Sequence, residues 1–325
     1  MRVLELCAGG GGQALGLDLA GYETAALVEI EKEACATLSH NRPEWNVVQA
    51  DLKILKPDTF KNIDLICGGV PCQPFSIAGQ KLGQTDERDL FPVAINYVQK
   101  LKPVAFFFEN VRGLASGSFE GYRDQIVNEF IKAGYYVEWR VLEASDYGVP
   151  QLRPRFVLVG KRNGAIPFPW PVKTDQRVTV AQTISDQMGK YGWKGLEQWM
   201  KKADHIAPTI VGGSKKHGGP DLGPTRAKRQ WASLGVDGMG IANDSPAKDF
   251  EGLPRLTNEM VARLQGFPDS WKFMGKKTAV YRQIGNAFPP PVAKAVAEAM
   301  RTWVSTSSKT KSKIKPVQLD LVGGL

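Results

Sequence analysis

Val3-Leu4-Glu5-Leu6-Cys7-Ala8-Gly9-Gly10-Gly11-Gly12, close to the N-terminus, is the stretch from which the fold can be read. A short apolar run alternating with one acid predicts a buried strand. The glycines that follow turn the chain without side chains in the way, and a helix-like segment continues from there. Strand, glycine turn and helix in that order open a doubly wound α/β sheet toward a ligand, because the bare backbone can approach a bound molecule closely.

Outward from this turn the same rhythm repeats. Apolar runs at 25–28, 46–48, 63–67 and 104–108 predict further buried strands, with helix-like segments near 12–21, 31–41, 92–101 and 120–132 between them. Two more candidate strands, 136–142 and 155–159, extend the sheet. Ile166-Pro167-Phe168-Pro169-Trp170-Pro171 is a proline-rich exit from it. From 173 to 253 glycine, lysine, arginine and tryptophan become frequent and regular periodicity fades, which predicts a loop-rich region. A helix over 257–265 with Thr257 as its cap and a last helix over 290–303 follow. The expected division is a catalytic and cofactor-binding part at 1–172 and a recognition part at 173–275. A returning motif and helix at 276–304 and a disordered basic tail at 305–325 complete it.

Charge follows this division. The chain of 325 residues carries a net charge of +9. Residues 1–172 hold 18 basic against 20 acidic side chains, 173–255 hold 13 against 9, and 256–325 hold 11 against 4. A near-neutral front joined to a basic back suits a chemical module beside a polyanion-binding one. No run approaches the roughly 18 apolar residues of a membrane span, and nothing at the start resembles a signal peptide. The cysteines Cys7, Cys35, Cys67 and Cys72 form no Cys-x-x-Cys pair and only three histidines are present, so no metal is expected.

Several residues stand where such sheets bind ligands. Glu29 ends the second strand, where a carboxylate meets ribose hydroxyls, and Asp51 follows the third. Gly68-Gly69-Val70-Pro71-Cys72-Gln73-Pro74 fixes a thiol between glycine and proline turns at a strand's carboxyl end. Glu109-Asn110-Val111 follows three phenylalanines, so burial should raise the Glu109 pKa and leave a carboxyl able to donate a proton. Gln151-Leu152-Arg153-Pro154-Arg155 puts two guanidiniums on one side of an extended segment. Each taken alone is as well explained by a tight turn or a structural ion pair.

Taken together and in order, Glu5 to Gly12, Pro71-Cys72-Gln73, Glu109-Asn110-Val111, Gln151-x-Arg153-x-Arg155 and Arg282-Gln283-Ile284-Gly285-Asn286-Ala287 resemble the ordered motifs of the DNA cytosine-5 methyltransferases of bacterial restriction–modification type. Asp89-Leu90-Phe91, Arg255-Leu256-Thr257 and Arg263-Leu264-Gln265-Gly266-Phe267-Pro268 belong to the same resemblance, which covers about 1–160 and 255–300. It implies an S-adenosylmethionine-dependent Rossmann-like sheet with a smaller target-recognition domain. It implies Cys72 as the nucleophile at cytosine carbon-6, Glu109 at N3 and the exocyclic amine, and Arg155, with Arg153, at the base oxygen. Carbon-5 is a poor nucleophile until thiolate addition turns it into an enamine carbon.

For S-adenosylmethionine, leaving as S-adenosylhomocysteine, the resemblance implies contacts from Leu6, Cys7, Gly9, Gly11, Glu29, Ile30, Asp51, Leu52, Pro71, Leu90, Asn286 and Ala287. Many members have phenylalanine where this chain has Cys7, so the usual aromatic contact is missing. For double-stranded DNA it implies a closing loop over 73–89 with Gln73, Ser76 and Arg88, support from Gln151, and phosphate or base contacts from Lys215, Lys216, Arg226, Lys228 and Arg229. A cognate restriction endonuclease acting on the same site without a stable complex, and a cytoplasmic, nucleoid-associated location, follow by the same analogy. The family's branch acting on transfer RNA carries Cys-Phe-Thr, and no cysteine here is followed by phenylalanine. A catalytically inactive DNA-binding homologue would not need the intact Cys72, Glu109 and Arg155. A nicotinamide-dependent oxidoreductase would explain neither Pro71-Cys72 nor the motif at Asn286.

Overall fold

In a computed structural model, residues 1–72, 89–164, 166–213 and 219–306 are described. Seven strands form one sheet: β1 (Arg2–Leu6), β2 (Glu23–Glu29), β3 (Val47–Gln49), β4 (Leu65–Gly68), β5 (Ala105–Val111), β6 (Tyr135–Glu143) and β7 (Pro154–Arg162). Their order is β3-β2-β1-β4-β5-β7-β6. The first five run parallel, and β7 lies antiparallel between β5 and β6. The order reverses beside β1, so its carboxyl end and that of β4 open into the crevice where such sheets bind ligands.

Helices α1 (Gly12–Leu19), α2 (Lys32–Asn41), α3 (Phe91–Leu101) and α4 (Glu120–Lys132) connect the strands. The sheet is apolar on both faces because both are covered. Phe106 and Phe108 of β5 pack with Phe91 of α3 and Phe130 of α4 on one side. Phe107 packs on the other side with Val292, Val296 and Met300 of α10 (Pro290–Ser305). All three phenylalanines are fully buried, each stabilising by about 1.5–3 kcal/mol relative to exposure. Helix α10 lies against α1, so the end of the described chain covers the strand with which it begins. A Cβ on Gly16 would stand 2.4 Å from the Ala293 Cβ, so this approach requires a glycine.

The region expected to be loop-rich contains three helices, α5 (Val180–Met188), α6 (Leu196–Lys202) and α7 (Thr225–Ser233). For α5 the signal was present: Val180, Ala181, Ile184 and Met188 share a face, and Thr179 and Gln182 form a capping box. With α8 (Asn258–Leu264) and α9 (Lys277–Asn286) these helices bury Trp193, Trp199, Trp231 and Trp271. Leu38 and Trp45 from the first half of the chain join the same core. Thr257 caps α8, its side chain accepting from the Met260 N–H at 3.3 Å. Among the described residues no helix is long and apolar enough to cross a membrane.

Candidate active site

A cavity of about 540 Å³ opens at the carboxyl ends of β1, β2, β4 and β5. Three residues of the turn after β1 have positive φ: Cys7 at 57°, Gly9 at 54° and Gly11 at 87°. The Glu29 carboxylate fixes that turn, accepting from the N–H groups of Gly9 at 2.6 Å and of Ile30 and Glu31 at 2.8 Å each. Asp51 accepts from Lys53 N–H at 2.9 Å. Cys7, Gly9, Glu29, Ile30, Asp51, Leu52, Pro71, Leu90, Asn286 and Ala287, expected from the sequence, all line the cavity.

Leu6 and Gly11 do not. The Leu6 side chain is wholly buried among the apolar residues of the sheet, because alternation along β1 turns it to the α3 side. Gly11 serves packing: a Cβ there would stand 2.6 Å from Trp271 and 2.7 Å from Leu38. Residues the sequence analysis passed over also form the walls, among them Glu5, Gln13, Glu31, Glu33, Arg282, Gln283 and Phe288. Glu5, Arg282 and Gln283 stood within quoted motifs, and their place in those motifs was the available signal.

The far wall carries Glu109. Its Oε1 lies over Gly69, where a Cβ would be 2.6 Å away, and its Oε2 lies 3.6 Å from Arg155 Nε. Burial raises the Glu109 pKa, against the opposing pull of Arg155 and then Arg153. Asn110 holds the neighbouring turn, donating to Val70 O at 2.8 Å. Leu90 N–H donates to Pro71 O at 3.0 Å, so the residues flanking Cys72 are held from two sides. Cys72 itself is 7% exposed and packs in the apolar cluster with Phe91 and Leu114, beside the cavity rather than within its walls. Burial, and then the Asp89 carboxylate, push its thiol well up. The free protein therefore stores Cys72 as a neutral thiol.

Two members of the arginine segment depart from the expectation. Arg153 is 1% exposed and donates to Ile210 O at 2.6 Å, Gly285 O at 2.7 Å and Ala287 O at 3.0 Å. It ties β7 to the segment before α7 and to the end of α9, so its guanidinium is consumed by backbone carbonyls and does not reach a substrate. Gln151 is fully buried and bonds Gln265, Leu264 O and Ile210 N, which corrects its assignment as a DNA contact. Arg155 alone of the three reaches Glu109. Asn286 donates to Gly213 O at 3.3 Å, closing the cavity from the C-terminal side.

On α7, Arg226 and Arg229 are exposed. Lys228 is paired with Asp221 at 2.9 Å and half-buried, so it is a poorer phosphate ligand than expected. Gln73, Ser76, Arg88, Lys215 and Lys216, with nearly all of the 73–89 loop and the tail beyond 306, lie outside the described residues. Among the described residues no cluster of side chains suits a metal ion.

The cavity's charge favours one class of ligand. Glu5, Glu29, Glu31, Glu33, Asp51 and Glu109 line it against the single cation Arg282. Such walls suit a positively charged molecule with hydroxyls and apolar parts.

Comparison with known proteins agrees with this geometry. Residues 1–302 match the family model of the C-5 cytosine-specific DNA methylases. The type II methyltransferase M.NaeI of Lentzea aerocolonigenes is 50% identical over 320 residues, covering 96% of this chain and 78% of that protein. M.NgoMIV of Neisseria gonorrhoeae, also a type II methyltransferase, is 50% identical over 298 residues, covering 90% and 95%. Among solved structures, an E. coli prophage protein described as a DNA modification methyltransferase superposes with a TM-score of 0.66 at 25% identity, over 94% of this chain and all of that one.

Proposed function

Because the chain belongs to the C-5 cytosine-specific DNA methylases, we propose that it methylates carbon-5 of a cytosine swung out of duplex DNA, through a covalent bond from Cys72 to carbon-6. The observation that carries this reading is the wall of the acidic cavity, where Glu109 meets Arg155 above Gly69 and the next turn delivers Cys72.

The family uses S-adenosylmethionine, which supplies an electrophilic methyl group when bound. Its sulfonium and ammonium charges match the six carboxyl groups of the cavity. In this reading Glu29 holds the ribose, Asp51 and Leu52 the adenine end, Ile30 and Cys7 its faces, and Pro71, Leu90, Asn286 and Ala287 the remainder. The chain's own task is to make carbon-5 nucleophilic. Cys72 Sγ adds to carbon-6, the electron pair of the ring double bond moves to carbon-5, and Glu109 donates its proton at N3. Arg155 steadies Glu109 and the base oxygen. Loss of the carbon-5 proton and expulsion of Cys72 return the thiol.

A base inside a duplex is out of reach of Cys72, so extrusion precedes chemistry. Residues 1–172 form the catalytic part in this proposal and 173–275 the recognition part, with 276–304 returning to the sheet. Arg226 and Arg229 on the exposed face of α7 supply phosphate contacts, and Lys215 and Lys216 are further candidates. As with the type II relatives, the product protects a short site against a cognate endonuclease in a bacterial cell, without a stable complex.

Bisulfite sequencing of DNA from cells expressing the chain tests activity and finds the site together. Cys72→Ser is expected to abolish methylation while DNA binding persists. Methylation at an undiminished rate in that variant would refute covalent catalysis at Cys72.

A further inference from the structure

The same face of the sheet that carries Glu109 carries a second buried carboxyl. Glu5 of β1, Cys67 of β4 and Phe107 of β5 are successive partners in register, so their side chains share one face. Gly69 and Glu109 lie two residues further along β4's exit and β5, on that face again. Since Gly69 has no side chain, Glu109 leans across the β4 position toward β1. Glu5 is 1% exposed, and its Oε2, like Glu109 Oε2, has no hydrogen-bond partner.

Gln13 of α1 completes the group. Its Nε2 donates to Phe107 O at 3.4 Å, while its buried Oε1 is also without a partner. All three residues line the cavity. The group is thus rich in acceptors and short of donors. Among the described residues an ion pair reaches Glu109, from Arg155, and none reaches Glu5. Facing Glu5 are Glu29 from the end of β2, Glu109 from β5, and the thiols of Cys67 and Cys7, with the Ala14 N–H as donor from α1. Facing Glu109 are Arg155 and Arg153 from β7. Gln13 and Phe288, also in the walls, do not titrate. Two carboxylates cannot both be ionised in such a place without strong repulsion, since one guanidinium offsets one of them.

We propose that Glu5 is a positioning residue: its carboxyl and that of Glu109 hold one proton between them, which keeps Glu109 a proton donor at neutral pH. Burial and the neighbouring carboxylates raise Glu5, and burial raises Glu109, in keeping with a pair that titrates as a unit. As the bond from Cys72 Sγ to carbon-6 forms, the proton passes from Glu109 to N3 and leaves Glu109 a carboxylate beside Arg155. When that bond breaks, N3 returns the proton to Glu109. Loss of the shared proton before reaction leaves two adjacent carboxylates in wild type. In Glu5→Gln it leaves one, next to a guanidinium, and therefore occurs at lower pH.

This inference rests on the covalent reading above, so its test needs a signal independent of methyl transfer. Duplex DNA tritiated at carbon-5 of cytosine, incubated without a methyl donor, reports reversible addition of Cys72 by release of tritium to water. In wild type the release rate is expected to fall at alkaline pH. In Glu5→Gln that fall should begin about one pH unit lower, a roughly tenfold loss at a fixed alkaline pH, while Glu5→Asp keeps the wild-type position. A fall at the same pH in Glu5→Gln, or a rate reduced by one factor at every pH, overturns the proposal and leaves the covalent reading intact. Absence of tritium release and of methylation in wild type overturns both. Without any variant, the infrared carbonyl band of a protonated carboxyl should persist in wild type at neutral pH, and its absence equally overturns the shared proton.

Discussion

Replacing Arg153 by methionine separates a structural from a substrate-binding role for that side chain. The guanidinium makes three hydrogen bonds to carbonyls at 2.6, 2.7 and 3.0 Å, all buried. Bonds to a charged group contribute about 1.5–3 kcal/mol each, but removing the buried charge recovers part of its desolvation cost, with roughly 3–5 kcal/mol expected for breaking such a group. Methionine fills much of the same volume without offering a donor, leaving the carbonyls of Ile210, Gly285 and Ala287 unmet. For a chain of this size that loss corresponds to a melting temperature lower by roughly 6–20 °C. Thermal unfolding followed by circular dichroism gives the midpoint, and methylation assayed well below it gives the activity. Arg153→Lys, with donors radiating from one nitrogen, should recover part of the stability. An unchanged midpoint with methylation abolished would refute the latch and return Arg153 to the substrate.

Gly11→Ala places a Cβ 2.6 Å from Trp271 at a φ of 87°, and should destabilise by about 1–3 kcal/mol in urea unfolding with little change in donor affinity per folded molecule. Weaker donor binding at unchanged stability would return Gly11 to the cavity. Asp89→Asn removes the carboxylate that adds to burial in raising the Cys72 thiol, while the amide oxygen can still accept from Phe91 N–H as Asp89 does at 3.0 Å. The thiol pKa falls, so more thiolate is present at any pH below it, and alkylation of Cys72 at mildly alkaline pH should accelerate roughly threefold to tenfold. A rate no faster than wild type would show that burial acts alone.

The sequence by itself determined the strand and turn order. Strands show in runs such as Phe106-Phe107-Phe108 and in the alternation of β1, and glycine and proline punctuate what lies between. It also marked Glu29, Asp51, Cys72 and Glu109, because their place at strand ends follows from chain order alone. Tertiary packing alone decided which members of one periodic set are free to act. Gln151, Arg153 and Arg155 repeat every second residue and share a face. Yet 207–213 and the end of α9 cover the first two and leave the third beside Glu109. Gly9 and Gly11 are equivalent in sequence, but Trp271, some 260 positions away, occupies the space beside Gly11. Lys228 resembled its basic neighbours until α7 set it against Asp221. Local periodicity specifies the direction in which a side chain points. Whether that direction meets water, a ligand or a distant segment depends on long-range burial, which no short stretch of sequence contains.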